Sequence, residues 1–162
     1  MSESTTIAAM LKSVVDGPAW HGPSVMELVE TLSAEQAKRK AIEDAHSIWE
    51  LLLHMTAWQE YALEVLDDKD AAPLEGEADW PPLPEPPKEV DWETTKRKFE
   101  GGMRELRERI IHLSEEDLRA AVRGRNFPLK VLLHGLVHHN LYHGGQIALI
   151  RKAIGISAAA KD

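Results

Sequence analysis

Three long segments of this sequence place apolar residues at steps of three and four, the spacing of one face of an α-helix. These segments span residues 44–66, 91–113 and about 129–153. Their stripes consist of Leu51, His54, Met55, Trp58, Ala62 and Val65, then of Trp92, Phe99, Met103, Leu106, Ile110 and Leu113, and finally of Leu132, Leu136, His139, His143, Ile147 and Ile150. No stretch shows the alternation of a strand followed by a hairpin turn, so the chain is predicted to be all-α.

The N-terminal quarter is expected to supply the fourth long element, broken or kinked. Residues 4–15 and 24–32 have helical character, and the glycines and prolines of DGPAWHGPS interrupt them. Ser33 followed by Gln36 resembles a capping box that opens a further short turn. The sequence therefore predicts one domain over residues 1–162, folded as a four-helix bundle.

A proline-rich segment joins the first two of the long helices. Residues 68–91 hold six of the nine prolines, and a loop of this length in a compact domain is usually functional or disordered. Its length permits an overhand crossover, and it is a candidate lid or subunit contact through Trp80. The tail over residues 155–162 is predicted to be flexible.

The net charge and the amino-acid composition exclude several classes of function. The net charge of −8 argues against non-specific binding to nucleic acid or to an anionic membrane. No apolar run approaches the roughly 20 residues of a membrane span, and the N-terminus lacks the basic start of a signal peptide, so a cytoplasmic location is expected. The chain has no cysteine, so any thiol chemistry must use a thiol supplied by a substrate.

Four of the eight histidines lie in the helix predicted over 129–153. His139 and His143 are one turn apart on the apolar stripe, whereas His134 and His138 form a similar pair about 100° around the helix. A lone buried histidine is usually satisfied by hydrogen bonds. Two neighbouring imidazoles on a buried face are costly without a shared partner, and a metal ion removes that cost.

His54 adds a third imidazole on the core-facing stripe of residues 44–66. Together with His139 and His143 it matches a three-ligand site for a divalent metal with one open coordination position. Zinc is the expected ion, with nickel, iron and manganese open, because geometry and supply decide selectivity. Spacing alone leaves metal binding and hydrogen-bonded core histidines equally open, since an H-x-x-x-H pair often arises by chance.

SIWELLLHMTAWQEYALEVL, the proline-rich segment and HHNLYHGGQIALIRK together resemble the DinB-like (DinB/YfiT) superfamily over about residues 20–153. The resemblance implies a four-helix bundle, a metal-dependent enzyme and a homodimer. It also implies a ligand triad of one histidine on the second helix and two on the last, which by motif are His54, His139 and His143. The best-characterised branches work with bacillithiol or mycothiol, which implies a low-molecular-weight thiol as cosubstrate.

Two further residues are candidates for catalytic roles. Glu50, one turn before His54, is an acceptor for an imidazole N–H, a general base acting on metal-bound water, or a solvated surface carboxylate. Gln146 follows His143 by three residues and belongs to the G-Q-I run of the resemblance. It is predicted to orient a ligand or to bridge helices.

The predicted function is a metal-dependent enzyme acting on a small molecule, by thiol S-transfer or by hydrolysis. The alternative is a non-catalytic, stress-associated module in which the triad stiffens the bundle and the proline-rich loop recruits a partner. An open coordination position beside a cavity favours the enzyme, and a closed four-ligand site favours the module.

Overall fold

The computed structural model describes residues 1–67 and 71–156, and the regular structure of these residues is helical. Within these ranges the α-helices are α1 Glu3–Asp16, α2 Val25–Val29, α3 Ala34–Ala37, α4 Ile48–Leu66, α5 Glu89–Ile110, α6 Glu115–Arg119 and α7 Leu129–Ala153. The described residues contain no strand, only an isolated bridge between Ala121 and Pro128. The all-α prediction is therefore confirmed. Most of the tail predicted to be flexible lies outside the described residues.

Serine caps determine where several helices begin. Ser47 accepts a hydrogen bond from the backbone N–H of Glu50, whose carboxylate bonds back to the backbone N–H of Ser47. This capping box starts α4 at Ile48, four residues later than the apolar stripe alone predicts. The predicted box of Ser33 and Gln36 is present and starts α3.

The four long helices form a bundle in which α1 and α4 each pack against both α5 and α7. The largest fully buried side chains include Trp49 of α4 and both Trp92 and Phe99 of α5. Each of these aromatic rings removes a large apolar surface from water and so stabilises the bundle. The short helices α2 and α3 lie between α1 and α4 in the chain and complete the core with residues such as Val25 and Leu28.

Helices α4 and α5 are parallel neighbours, because their contacts occur in the same order along both. The Trp49 indole N–H near the start of α4 donates to Thr95 (3.0 Å), and Asp67 after its end pairs with Arg109 (2.6 Å). The chain between them must therefore return along α4, which is about 28 Å long. That return contains a 3-10 turn at Gly76–Ala78 and brings the following residues beside the middle of α4.

Candidate metal centre

The packing of α4 against α7 brings three imidazoles together. His54 Nε2 lies 2.9 Å from His139 Nε2, which lies 3.1 Å from His143 Nε2. One ligand nitrogen from each ring lies within 4.8 Å of the other two. His139 and His143 meet because they are one turn apart on α7, and His54 faces them because it lies on the buried stripe of α4. The structure thus assembles the three histidines that the sequence singles out.

Hydrogen bonds fix the orientation of two of the three rings. His54 Nδ1 lies 2.7 Å from the backbone carbonyl oxygen of Asp79 and 3.1 Å from its carboxylate Oδ1. His143 Nδ1 lies 2.6 Å from Oε1 of Gln146. Since these oxygens only accept, each Nδ1 carries the proton and donates it. The Nε2 lone pairs of His54 and His143 therefore point into the shared centre, which is the tautomer that a metal requires.

His139 differs from the other two rings. Its Nδ1 is buried and has no hydrogen-bond partner among the described residues. Burial, with His143 and His54 adding repulsion, lowers the pKa of His139 from 6.5 to about 3. Burial is also the main reason that the pKa of His143 is lowered. His139 is therefore neutral at physiological pH and retains a nitrogen lone pair.

The donor set fits a divalent metal. Two Nε2 lone pairs face a third imidazole at hydrogen-bond distance, and one N–H from His139 can satisfy at most one of them well. Tetrahedral zinc with bonds near 2.0–2.1 Å separates its nitrogen ligands by about 3.3 Å, close to the observed 2.9 and 3.1 Å. His54, His139 and His143 would hold the ion, and a fourth position would stay open.

A tryptophan from the returning segment covers His54. The Trp80 ring stacks on His54 with centroids 3.9 Å apart and on His46 with centroids 3.6 Å apart, both nearly parallel. The imidazoles of His46 and His54 both stack closely on Trp80, and there is no room for both on the same face of its indole. The Trp80 ring therefore lies between the two imidazoles. Asp79 is held in turn by the indole N–H of Trp58, which donates to Oδ1 at 2.8 Å.

The model of the DinB superfamily matches residues 20–147 of the chain. The protein belongs to the DinB superfamily. No curated protein and no solved structure shows significant similarity to it. The match covers α4, α5 and most of α7, and so includes every ligand of the candidate centre in this DinB-superfamily protein.

Glu50 does not meet the imidazoles in the way that its spacing from His54 suggests. One carboxylate oxygen accepts from the backbone N–H of Ser47 (2.6 Å) and the other lies 3.4 Å from Lys40. Partial burial raises the pKa of Glu50, but the Ser47 hydrogen bonds and Lys40 outweigh it and leave the pKa below its ordinary value. A catalytic role for Glu50 stays a prediction, whereas Gln146 lies in contact with the triad.

The remaining histidines of α7 lie away from the centre. His134 is 3.2 Å from the carboxylate of Glu3 on α1, and His138 is exposed. Neither residue belongs to the cluster of His54, His139 and His143. His46, in contrast, contacts the covering Trp80 from the solvent side.

A cavity of about 280 Å³ lies near the centre, although none of the three histidines lines it. Gln146 and His46 contribute to its wall, and these two residues contact His143 and Trp80 respectively. The rest of the lining is mainly apolar, with Leu51, Leu149 and Ile150. No helix in the described part of the chain is long and apolar enough to cross a membrane.

Proposed function

We propose that this DinB-superfamily protein is a metal-dependent enzyme that acts on a small molecule at the centre formed by His54, His139 and His143. The observation that carries the proposal is the convergence of their three Nε2 atoms. The Nδ1 atoms of His54 and His143 donate hydrogen bonds to oxygen acceptors, which leaves both Nε2 lone pairs available to a metal. Only three protein ligands converge among the described residues. Three ligands leave a coordination position for a substrate, which favours an enzyme over the non-catalytic stress-associated module.

Thiol S-transfer is the reaction that the surroundings favour. When bound to three neutral imidazoles, a divalent ion keeps its charge and lowers the pKa of a coordinated thiol or water. Hydrolysis usually also needs a protein base. Glu50 is occupied by Ser47 and Lys40, and Asp79 by His54 and Trp58. A thiol is more acidic than water, so a coordinated thiol would release its proton to solvent near neutral pH without a protein base. Since the sequence has no cysteine, such a thiol would be the source of sulfur.

The cavity beside the centre suggests the character of the electrophilic substrate. Leu51 and Ile150 are among its lining residues and favour an apolar group. Gln146 also lines it and is a polar residue, and its Oε1 accepts a hydrogen bond from His143. We propose a substrate with a small apolar body and one polar group, rather than an extended or highly charged molecule.

Cobalt-substituted protein tests the proposal directly. Titration with small thiols, bacillithiol and mycothiol among them, should produce a sulfur-to-cobalt charge-transfer band near the ultraviolet edge. The band should be lost in His139→Ala and kept in His138→Ala, the matched control on the exposed face of α7. Turnover of esters or amides without any thiol band would make the protein a hydrolase. A metal-loaded protein with neither property would be the non-catalytic module.

We also propose that the protein forms a homodimer. Val131, Tyr142 and Leu149 are 50%, 66% and 59% exposed. They lie on one outer face of α7, because steps of eleven and seven residues are close to whole numbers of turns. Light scattering should give about twice the chain mass of 18.1 kDa, and Tyr142→Glu should shift the mass towards a monomer. A monomer mass for the unmodified protein at micromolar concentration would contradict this. A cytoplasmic location stays a prediction.

A further inference from the structure

We propose that Asp79 and Trp80 of the segment between α4 and α5 belong to the metal centre, so that docking of this segment and metal binding stabilise each other. Asp79 is a positioning residue that acts through His54, and Trp80 holds the same ring in its plane. The inference rests on the metal binding proposed above. It gives the segment a specific role in building the site, in addition to that of a cover.

Asp79 controls the orientation of His54 through two acceptors. Its backbone carbonyl oxygen and its carboxylate both lie within 3.1 Å of Nδ1. A carboxylate or carbonyl behind a ligating imidazole fixes the tautomer and raises the basicity of the nitrogen that binds the metal. Within the described residues no group of α4 itself contacts Nδ1 of His54 by hydrogen bond, so this orientation depends on the docked segment.

The segment is docked on the bundle around Asp79. Trp58 of α4 donates to the Asp79 carboxylate at 2.8 Å, and the Trp80 indole lies parallel to His54 within 4°. Farther along the segment, Leu74 and Leu83 pack against the core. If the segment detached, His54 would lose both its hydrogen-bond acceptors and its stacking partner. The ring would then be free to turn its Nε2 away from His139.

Linkage makes the effect reciprocal. If docking of the segment raises the affinity for metal, then metal must favour docking by the same factor. Loss of an outer partner of a ligating histidine typically costs 10–100-fold in metal affinity. Asp79→Ala keeps the backbone carbonyl, which is the closer acceptor at 2.7 Å. We therefore expect a loss of about 10-fold, near the lower end of that range.

The first test measures zinc affinity by competition with a chromophoric chelator. Asp79→Ala should bind zinc about 10-fold more weakly, and Asp79→Asn, which keeps an acceptor oxygen, should lie between it and the unmodified protein. Glu77→Ala removes a negative charge from an exposed position of the same segment and should leave the affinity unchanged. A merely structural role for Asp79 would lower the melting temperature of Asp79→Ala without changing its affinity for zinc.

The second test follows docking of the segment by limited proteolysis. Glutamyl endopeptidase should cleave after Glu75 or Glu77, which are exposed, and zinc should slow this cleavage several-fold in the unmodified protein. Asp79→Ala and Trp80→Ala should lose this protection. His143→Ala controls for inhibition of the protease by zinc, because its cleavage should not respond to the metal.

The outcomes separate the two proposals. If the unmodified protein binds no zinc, the metal centre and this inference both fail. The unmodified protein could instead bind zinc, while Asp79→Ala and Asp79→Asn bind zinc as tightly as it does and zinc does not slow cleavage of the segment. In that case only the role of the segment is overturned. Circular dichroism shows whether each variant folds. If Asp79→Ala does not fold, zinc affinity is compared between Asp79→Asn, which is the smaller change, and the unmodified protein.

Discussion

Acidification of the metal-free protein should reveal the unusual environment of His139. The His139 side chain is half-buried beside His143 and His54, and these surroundings lower its pKa to about 3. The unfolded chain has an ordinary histidine pKa near 6.5. Between these two values the unfolded chain binds the proton more readily than the folded protein does. Neutral His139 therefore favours the folded state above pH 6.5, and this advantage is lost as the pH falls towards 3.

The two pKa values set the size of the effect. One proton that binds only to the unfolded chain changes the free energy of unfolding by about 1.4 kcal/mol per pH unit. Between pH 7 and pH 5 the linkage gives a loss of about 2 kcal/mol. His139 is only partly shielded from solvent, so a loss of about 1–2 kcal/mol is expected once screening is included.

Urea unfolding followed by circular dichroism, in the presence of a chelator, measures this loss at pH 7, 6 and 5. His139→Leu, which cannot titrate, should lose about 1–2 kcal/mol less than the unmodified protein over this range. His138→Leu removes an exposed histidine from the adjacent position and should keep the full pH dependence. Equal slopes for His139→Leu and the unmodified protein would refute a buried, neutral His139.

Further substitutions test the metal ligands and the packing of α4 against α5. Elemental analysis should find about one divalent ion per chain, and none in His143→Ala, whose helical circular dichroism should persist. Gly102→Ala should be less stable than Gly101→Ala by about 1–3 kcal/mol in urea unfolding, because its Cβ would lie 1.7 Å from the buried Gln59 amide while that of Gly101 meets nothing within 4 Å. Thr95→Val should cost about 2 kcal/mol in the same assay, since it removes the acceptor of the buried Trp49 N–H, and Thr95→Ser should cost less.

The helices were predictable because their signals are local. Pro128 and the glycine at 155 bound a strong apolar stripe, and α7 extends over Leu129–Ala153 as predicted. For α4 the apolar stripe alone predicts too early a start. The helix begins at Ile48 because the Ser47 side chain accepts a hydrogen bond from the backbone N–H of Glu50 and so caps the helix there. The short helix α6 was missed because five residues are too few to show a helical period.

The histidine triad was predictable for the same reason, whereas its hydrogen-bond partners were only partly so. His139 and His143 share a face by helical geometry, and Gln146 lies close enough along α7 to reach His143. Glu50 occupies the third position of α4, so its carboxylate turns back towards Ser47. The S-x-x-E pattern over residues 47–50 already contained that signal, and it should have outweighed the spacing from His54.

Asp79 could not be placed from sequence because its segment has no periodicity. Its position beside His54 depends on the parallel packing of α4 and α5, which sends the connecting chain back along the bundle. A six-residue stretch such as ADWPPL contains a carboxylate and an indole, but nothing in it specifies which helix they contact. Only the packing of the helices determines that contact, and the aspartate then becomes a partner of a ligand.

The candidate centre therefore combines two kinds of support. The backbone of α7 fixes the separation of His139 and His143, and the Gln146 contact is made within that same helix. His54 instead contacts Asp79 and Trp80, which lie outside its own helix in the segment between α4 and α5. The ring of His143 is thus oriented within α7 itself, while the hydrogen bonds that orient His54 come from the segment between α4 and α5. His46 lines the nearby cavity and stacks on Trp80, and Trp80 in turn stacks on His54. Under the metal binding and the substrate site proposed above, a substrate that contacts His46 would be linked to His54 through Trp80, and its affinity would then depend on metal occupancy.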